Sequence, residues 1–268
     1  MSRMKEERLF NKVKKLSKKW WFYLILFIIL FLPSIATKGL DPRNISDFVV
    51  TIFKHSFANS ISPIYPVMQS VIIVCIALLF IFKGKVTRIF SIMVATNYLL
   101  IAVVDNVAIT EKYGLGIILG NALAFLIISV LWIWEVFINK NTFNRTNKSI
   151  PIYIFIILGS FSFLLPADAN TLLPSINILT LFTSGSGVWF CFVTPLYLSL
   201  LLYFYPSINV IILRVTSFIG LIIGLLNLSI HFTTYLKTNW WYGILHLPLF
   251  IISLYGLIIS LRHRDSQG

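Results

Sequence analysis

Long apolar runs alternate with short polar segments along the whole chain. Eight of these runs are predicted to be helices, at 20–37, 63–82, 88–109, 114–138, 150–166, 187–205, 208–232 and 240–261. Most are long enough to cross a hydrocarbon core of about 30 Å. The run at 150–166 is short, and Pro166 ends it. Inside hydrocarbon a polar side chain is costly and turns toward the bundle, so the polar positions within each run mark its buried side. The seventh run is the clearest case. Arg214, Ser217, Gly220, Gly224, Asn227 and His231 follow one another in steps of three or four and share one helical face. Gly220 and Gly224 form a GxxxG pair that permits close helix approach. Gly116, Gly120 and Ala124 predict a second, weaker seam of the same kind in the fourth run.

Two segments do not fit the spanning pattern. Residues 46–60 are too polar to cross, yet Phe48, Ile52 and Phe53 share a face, which predicts an outer interfacial helix. Residues 167–186 predict a second outer excursion, re-entrant or lying on the surface, because their apolar middle is too short to cross. No fixed-period repeat joins the two halves of the chain, which weakens any appeal to inverted-repeat transporters.

Composition agrees with this pattern. Hydrophobic residues make up 58% of the 268 and charged residues 12%, with a mean hydropathy of +0.89. The expected fold class is an all-α, polytopic transmembrane helical bundle of about eight spans in a cell membrane. Charge orients it. Sixteen of the 22 Lys and Arg fall before Trp20, in the segments 83–88 and 139–149, or after the last run, whereas Lys38, Arg43, Lys54, Lys112 and Lys237 fall on the opposite side. The positive-inside rule then places both termini in the cytoplasm. Residues 1–19 form a basic cytoplasmic segment, 20–261 the transmembrane domain and 262–268 a cytoplasmic tail. Residues 1–36 also carry the grammar of a cleaved signal peptide, a basic stretch, an apolar run and "SIA" at 34–36. Pro33 beside the cut and the length of the basic stretch favour an uncleaved first helix.

Charge and motifs narrow the chemistry. A net charge of +13 suggests nucleic acid in a soluble protein, but here the positives sit between apolar runs and share no face with stacking aromatics. No nucleic-acid partner is expected; the bilayer is, together with small solutes or other membrane proteins as candidate partners. Cys75 and Cys191 lie inside apolar runs with no Cys/His cluster, so no metal site is expected. No HExxH, GxSxG or GxxxxGK[ST] motif is present, and no catalytic residue is assigned.

The polar residues of the outer half converge. Asp105 and Asn106 close the third run, Ser184 and Ser186 sit in "SGSG" before the sixth, Asn227 and His231 end the seventh, and His246 begins the eighth. These seven residues are the candidate ligand-binding set. Pro195 and Pro248 should kink their helices near them and free backbone carbonyls. Glu135 is expected at an interface near Lys140, and Arg214 is expected to snorkel to the inner headgroups. The reading that follows is a small-solute permease or membrane-embedded binding bundle with an outward-facing polar cavity. The alternative is a structural or assembly subunit of a membrane complex. A haem protein with His231 and His246 as axial ligands is disfavoured, because packed helices lie about 8–10 Å apart and a haem must fit between the rings. A membrane-embedded enzyme lacks a signature. No cofactor is predicted.

Orientation is directly testable. An alkaline-phosphatase reporter fused after Lys112 or Lys237 should be active, and one fused at Lys140 silent. The reverse pattern would invert the map.

Overall fold

The computed structural model describes residues 3–144, 150–164, 180–233, 236–237 and 240–263. Among the described residues, ten helices carry the fold: α1 (Arg3–Leu16), α2 (Trp20–Leu30), α3 (Ile45–Lys54), α4 (Tyr65–Phe82), α5 (Thr87–Leu100), α6 (Leu119–Ile138), α7 (Ile150–Leu164), α8 (Phe190–Tyr203), α9 (Val210–Thr233) and α10 (Trp240–Arg262). Single helical turns link several of them. The all-α class holds. Four helical segments, Ser62–Asp105, Leu119–Ile138, Val210–Thr233 and Trp240–Arg262, are long and apolar enough to cross a membrane, as in a membrane protein. The first contains both α4 and α5. Lys83 adopts φ 49° and ψ −128° between them, and the two limbs pack on each other. Three further apolar helices, Trp20–Leu30, Ile152–Leu164 and Phe190–Tyr203, are shorter.

The main core is centred on α8 and α9 and extends to α4, α5, α6, α7 and α10. Helix α8 is buried along almost its whole length. The small-residue pattern read from the seventh run does what its spacing predicts. A Cβ on Gly220 would strike Ser253 Oγ, and a Cβ on Gly224 would lie 3.1 Å from the Phe250 backbone. Gly256 meets Ser217 from the other side of the same seam. The helices pack at backbone distance because no side chain separates them.

Polar staples close one end of the bundle, here the basic end. Arg214 does not snorkel to solvent. It is fully buried, with Nη1 donating to Ser17 Oγ (2.6 Å) and Lys14 O (3.3 Å) and Nη2 to Ser260 O (2.6 Å). The guanidinium thus meets carbonyls from the last turns of α1 and α10, where the helix dipole favours a cation. Glu135 is likewise fully buried, and it lies close to Lys140 as expected. Its carboxylate accepts from the Asn141 backbone (2.6 Å) and from Asn209 Nδ2 (2.7 Å), while Asn141 Oδ1 accepts from the Asn209 backbone (2.6 Å). The loop after α6 is thereby tied to the start of α9. Asn139, in the left-handed region at φ 47°, ends α6 as a C-cap.

The opposite end departs from the sequence reading. Helix α5 stops at Leu100, continues as one π-helical turn (Ile101–Asp105), and gives way to strands where the apolar pattern predicted more helix. Strands β1 (Ile35–Ala36), β2 (Val107–Thr110) and β3 (Gly114–Ile117) form an antiparallel sheet in the order β1-β3-β2. Gly114, at φ 67°, makes the hairpin turn, and Tyr113 N donates to Thr110 Oγ1. Gly116 therefore belongs to a strand and not to a helical seam. The amphipathic segment also differs. Helix α3 ends at Lys54, and its Phe48 and Ile52 are buried against the sheet, where they would strike a Cβ on Gly116. Phe53 points away and is exposed. An apolar helical face finds the nearest apolar surface, and here the hairpin supplies it. Lys112 Nζ pairs with Asp47 at 2.7 Å and Tyr113 donates its hydroxyl to the same carboxylate. The Lys112 hydrogen bond, then that from Tyr113, holds the Asp47 carboxyl below the usual carboxylate range.

The seam generates a stability prediction. Gly224→Leu forces α9 and α10 apart and should cost on the order of 1–3 kcal/mol, read as a lower melting temperature in detergent. An unchanged melting temperature would contradict the close packing.

Candidate functional site

Polar side chains of the sheet end fall into three neighbouring groups. The first surrounds the turn Gly185–Gly187, ahead of α8. Gln69, fully buried on α4, donates through Nε2 to Ser184 O (3.1 Å), Ser184 Oγ (3.0 Å) and Ser186 Oγ (2.6 Å). Ser186 Oγ donates in turn to Phe163 O on α7 (2.8 Å). Asn97 Nδ2 on α5 reaches Gly187 O (2.7 Å), and its Oδ1 accepts from Tyr197 OH on α8 (3.1 Å). Tyr98 OH donates to Thr194 Oγ1 (3.1 Å). The two serines are buried and engaged by the protein's own groups, so they lock a loop between four helices instead of presenting hydroxyls outward.

The second group sits on the π turn. Asp105 is 8% exposed and Asn106 fully buried. Asn106 Nδ2 donates to Ile101 O (2.9 Å), a carbonyl at the start of the turn. Its Oδ1 has no donor among the described residues. The Asp105 carboxylate receives no hydrogen bond or ion pair from any described residue; burial alone acts on it. Tyr65 OH donates to Ala58 O at 2.8 Å.

The third group contains both histidines. His231 near the end of α9 and His246 on α10 stack with centroids 5.5 Å apart and planes 23° from parallel. Tyr242 meets each ring edge-on, at 5.1 Å from His231 and 5.2 Å from His246. His246 is buried and its Nδ1 lies 2.9 Å from Tyr242 O, while His231 is half-buried. Asn227 Nδ2 donates to Ile223 O (2.9 Å) and lies 3.9 Å from Cys191 Sγ. Rings in direct contact leave no gap for a macrocycle, so a haem between them needs the α9–α10 hairpin to open.

Tyr242 ties the two histidines together, whereas Ser184 and Ser186 belong to a separate lock with Gln69. Most of the excursion at 167–186, including Asp168, lies outside the described residues, as does part of the α9–α10 turn. Gln69 escaped the sequence reading. It is a polar residue within an apolar run, and the rule applied to the seventh run would have found it. Tyr242 and Cys191 lie in apolar sequence that carries no signal of their partners. One polar cavity is lined by Glu6, Glu7, Ile138, Asn139 and Lys140, and an apolar groove runs between α5 and α6; both lie away from the histidines and Asp105. Among the described residues, no group of three or more His, Cys, Asp or Glu is placed to hold a metal ion.

No family model, curated protein or solved structure matches the chain.

The lock around Gly185–Gly187 is testable. Gln69→Leu removes the donor shared by three oxygens while keeping the side-chain bulk. It should destabilise the protein by about 1–3 kcal/mol, seen in detergent melts. A neutral result would show that the loop is held without it.

Proposed function

We propose that the chain is a multi-pass cell-membrane protein of about eight spans, with both termini cytoplasmic, that acts as a small-solute permease or solute-binding bundle. Its site lies in the outward half, around Asp105, Asn106, Tyr242, Asn227, His231 and His246. The observation that carries this reading is the Asp105 carboxylate. Two carboxylates are buried in the bundle among the described residues, Asp105 and Glu135. The fold surrounds Glu135 with donors and gives Asp105 none. An ionised carboxylate left so costs several kcal/mol, and such an expense inside a membrane marks a site where a cation, a proton or a donor-bearing solute arrives. His231, Asn227 and Tyr242 are half-buried, so the cluster is not sealed off completely.

A structural or assembly subunit is the second reading. The small-residue seams, which serve close helix packing, favour it.

Cysteine accessibility separates the two. Asp105 and His231 are replaced singly by cysteine after Cys75 and Cys191 are changed to alanine. Intact cells are then exposed to an impermeant thiol reagent, with and without a panel of amino acids, sugars and small cations. A binding bundle predicts labelling from outside at both positions, slowed several-fold by at least one solute. Protection of both positions in folded protein removes the cavity and leaves the structural reading.

A further inference from the structure

The sheet at the Asp105 end has two unlike faces. Its register pairs Val107 with Ile117, Ala108 with Gly116, Ile109 with Leu115 and Ile35 with Ile117. Alternation along a strand sends successive side chains to opposite faces. Ala36, Ala108, Thr110, Gly114 and Gly116 therefore line one face, all small, and α3 covers it. Ile35, Val107, Ile109, Leu115 and Ile117 line the other. That face is wholly aliphatic. Val107 and Ile117 are half-buried, and the rest is open among the described residues: Ile109 is 67% exposed, Ile35 47% and Leu115 39%.

What continues from this face identifies its occupant. On α5 and the π turn the exposed residues Ile89, Ile92, Thr96, Leu99 and Val103 recur at steps of three and four. They form one stripe along a helix apolar enough to cross a membrane. On α6 the exposed Leu126, Val130, Ile133 and Phe137 form a second stripe in the same way. The two stripes enter strands β2 and β3 and reach Ile109 and Leu115, which are direct cross-strand partners. The charged groups lie elsewhere on the cap. Glu111 and Lys112 are at the hairpin tip, and Asp47 and Lys54 are on α3, beyond the covered face.

We propose that the aliphatic face of this sheet is a membrane-contact surface, seated against the acyl chains at the bilayer boundary, with α3 on its water side. The sheet extends the lipid-facing stripes of α5 and α6 and ends the spans as a wedge. Its depth is limited by its own backbone. An open strand edge does not lie in hydrocarbon, because unpaired amides find no water there. Strand β1 is two residues long, and the outer edge of β2 is covered only at Ala108, by its bridge to Ser56. The interface is where an apolar face and a solvated edge coexist. This placement does not depend on what the protein carries.

Spin-label accessibility tests it. With Cys75 and Cys191 changed to alanine, Ile109→Cys and Leu115→Cys are labelled with a nitroxide and reconstituted in phosphatidylcholine vesicles, with Lys54→Cys as the water-side reference. Unchanged melting temperature and gel-filtration profile certify each variant. Contact with acyl chains predicts that dissolved oxygen relaxes labels 109 and 115 several-fold more than a water-soluble nickel chelate does, with the order reversed at 54. Stronger nickel relaxation at 109 and 115 would place the face in water and overturn the proposal. Exclusion of both reagents would mean that protein covers the face, and would overturn it equally.

Discussion

A chain this apolar has little water inside to satisfy polar groups, so each buried donor and acceptor must be met by the protein itself. That constraint organises the structure at both ends of the bundle. At the basic end, Arg214 closes onto carbonyls at the ends of two other helices, and Glu135 gathers the amides of the loop after α6 and the side chain of Asn209. Toward the sheet, Gln69 and Asn97 hold the serine-glycine turn by its carbonyls and hydroxyls. Each staple joins elements far apart in sequence, which gives the packing its register.

Against that background, several buried polar atoms go unmet among the described residues, Asn106 Oδ1, Ser217 Oγ and Ser253 Oγ among them. Asp105 is the carboxylate in that company: the fold that places donors around Glu135 brings it none from the described residues. It lies at the one point where α5 loosens into a π turn and then into strand. Helical geometry explains part of this. The π turn widens the backbone loop, and Asn106 folds back to occupy the carbonyl of Ile101, so the side chain that might have paired with Asp105 is committed elsewhere. The stacked histidines and Tyr242 approach from α9 and α10, which the glycine seam draws to backbone distance. The seam and the candidate site are therefore one piece of architecture. Close packing of α9 and α10 is what brings His231 against His246.

Much of this was legible beforehand. The period of apolar and polar positions marked the helical runs, the buried side of α9 and the glycine contact, because a 3.6-residue period and the cost of polar groups in hydrocarbon act locally. The polar residues Asp105, Asn106, Asn227, His231 and His246 were visible for the same reason. Charge bias gave an orientation without any structure. Pairing is another matter. Arg214 reads as a snorkelling residue and Glu135 as an interfacial one, because one sequence segment cannot show that carbonyls or amides from distant loops converge on it.

The sheet shows where local pattern fails. Val107–Ala108–Ile109–Thr110 and Gly114–Leu115–Gly116–Ile117 are short, apolar and flanked by longer apolar runs, so they read as the ends of helices. Only the tertiary arrangement, with β1 returning from the end of α2 and α3 pressing Phe48 and Ile52 onto the small-residue face, makes strand the better solution. The sequence by itself determined how apolar the chain is, where its helices lie and which sides they hide. Which polar groups meet, and which carboxylate is left alone, was decided by contacts between residues tens to hundreds of positions apart, and such contacts leave no periodic trace in the chain.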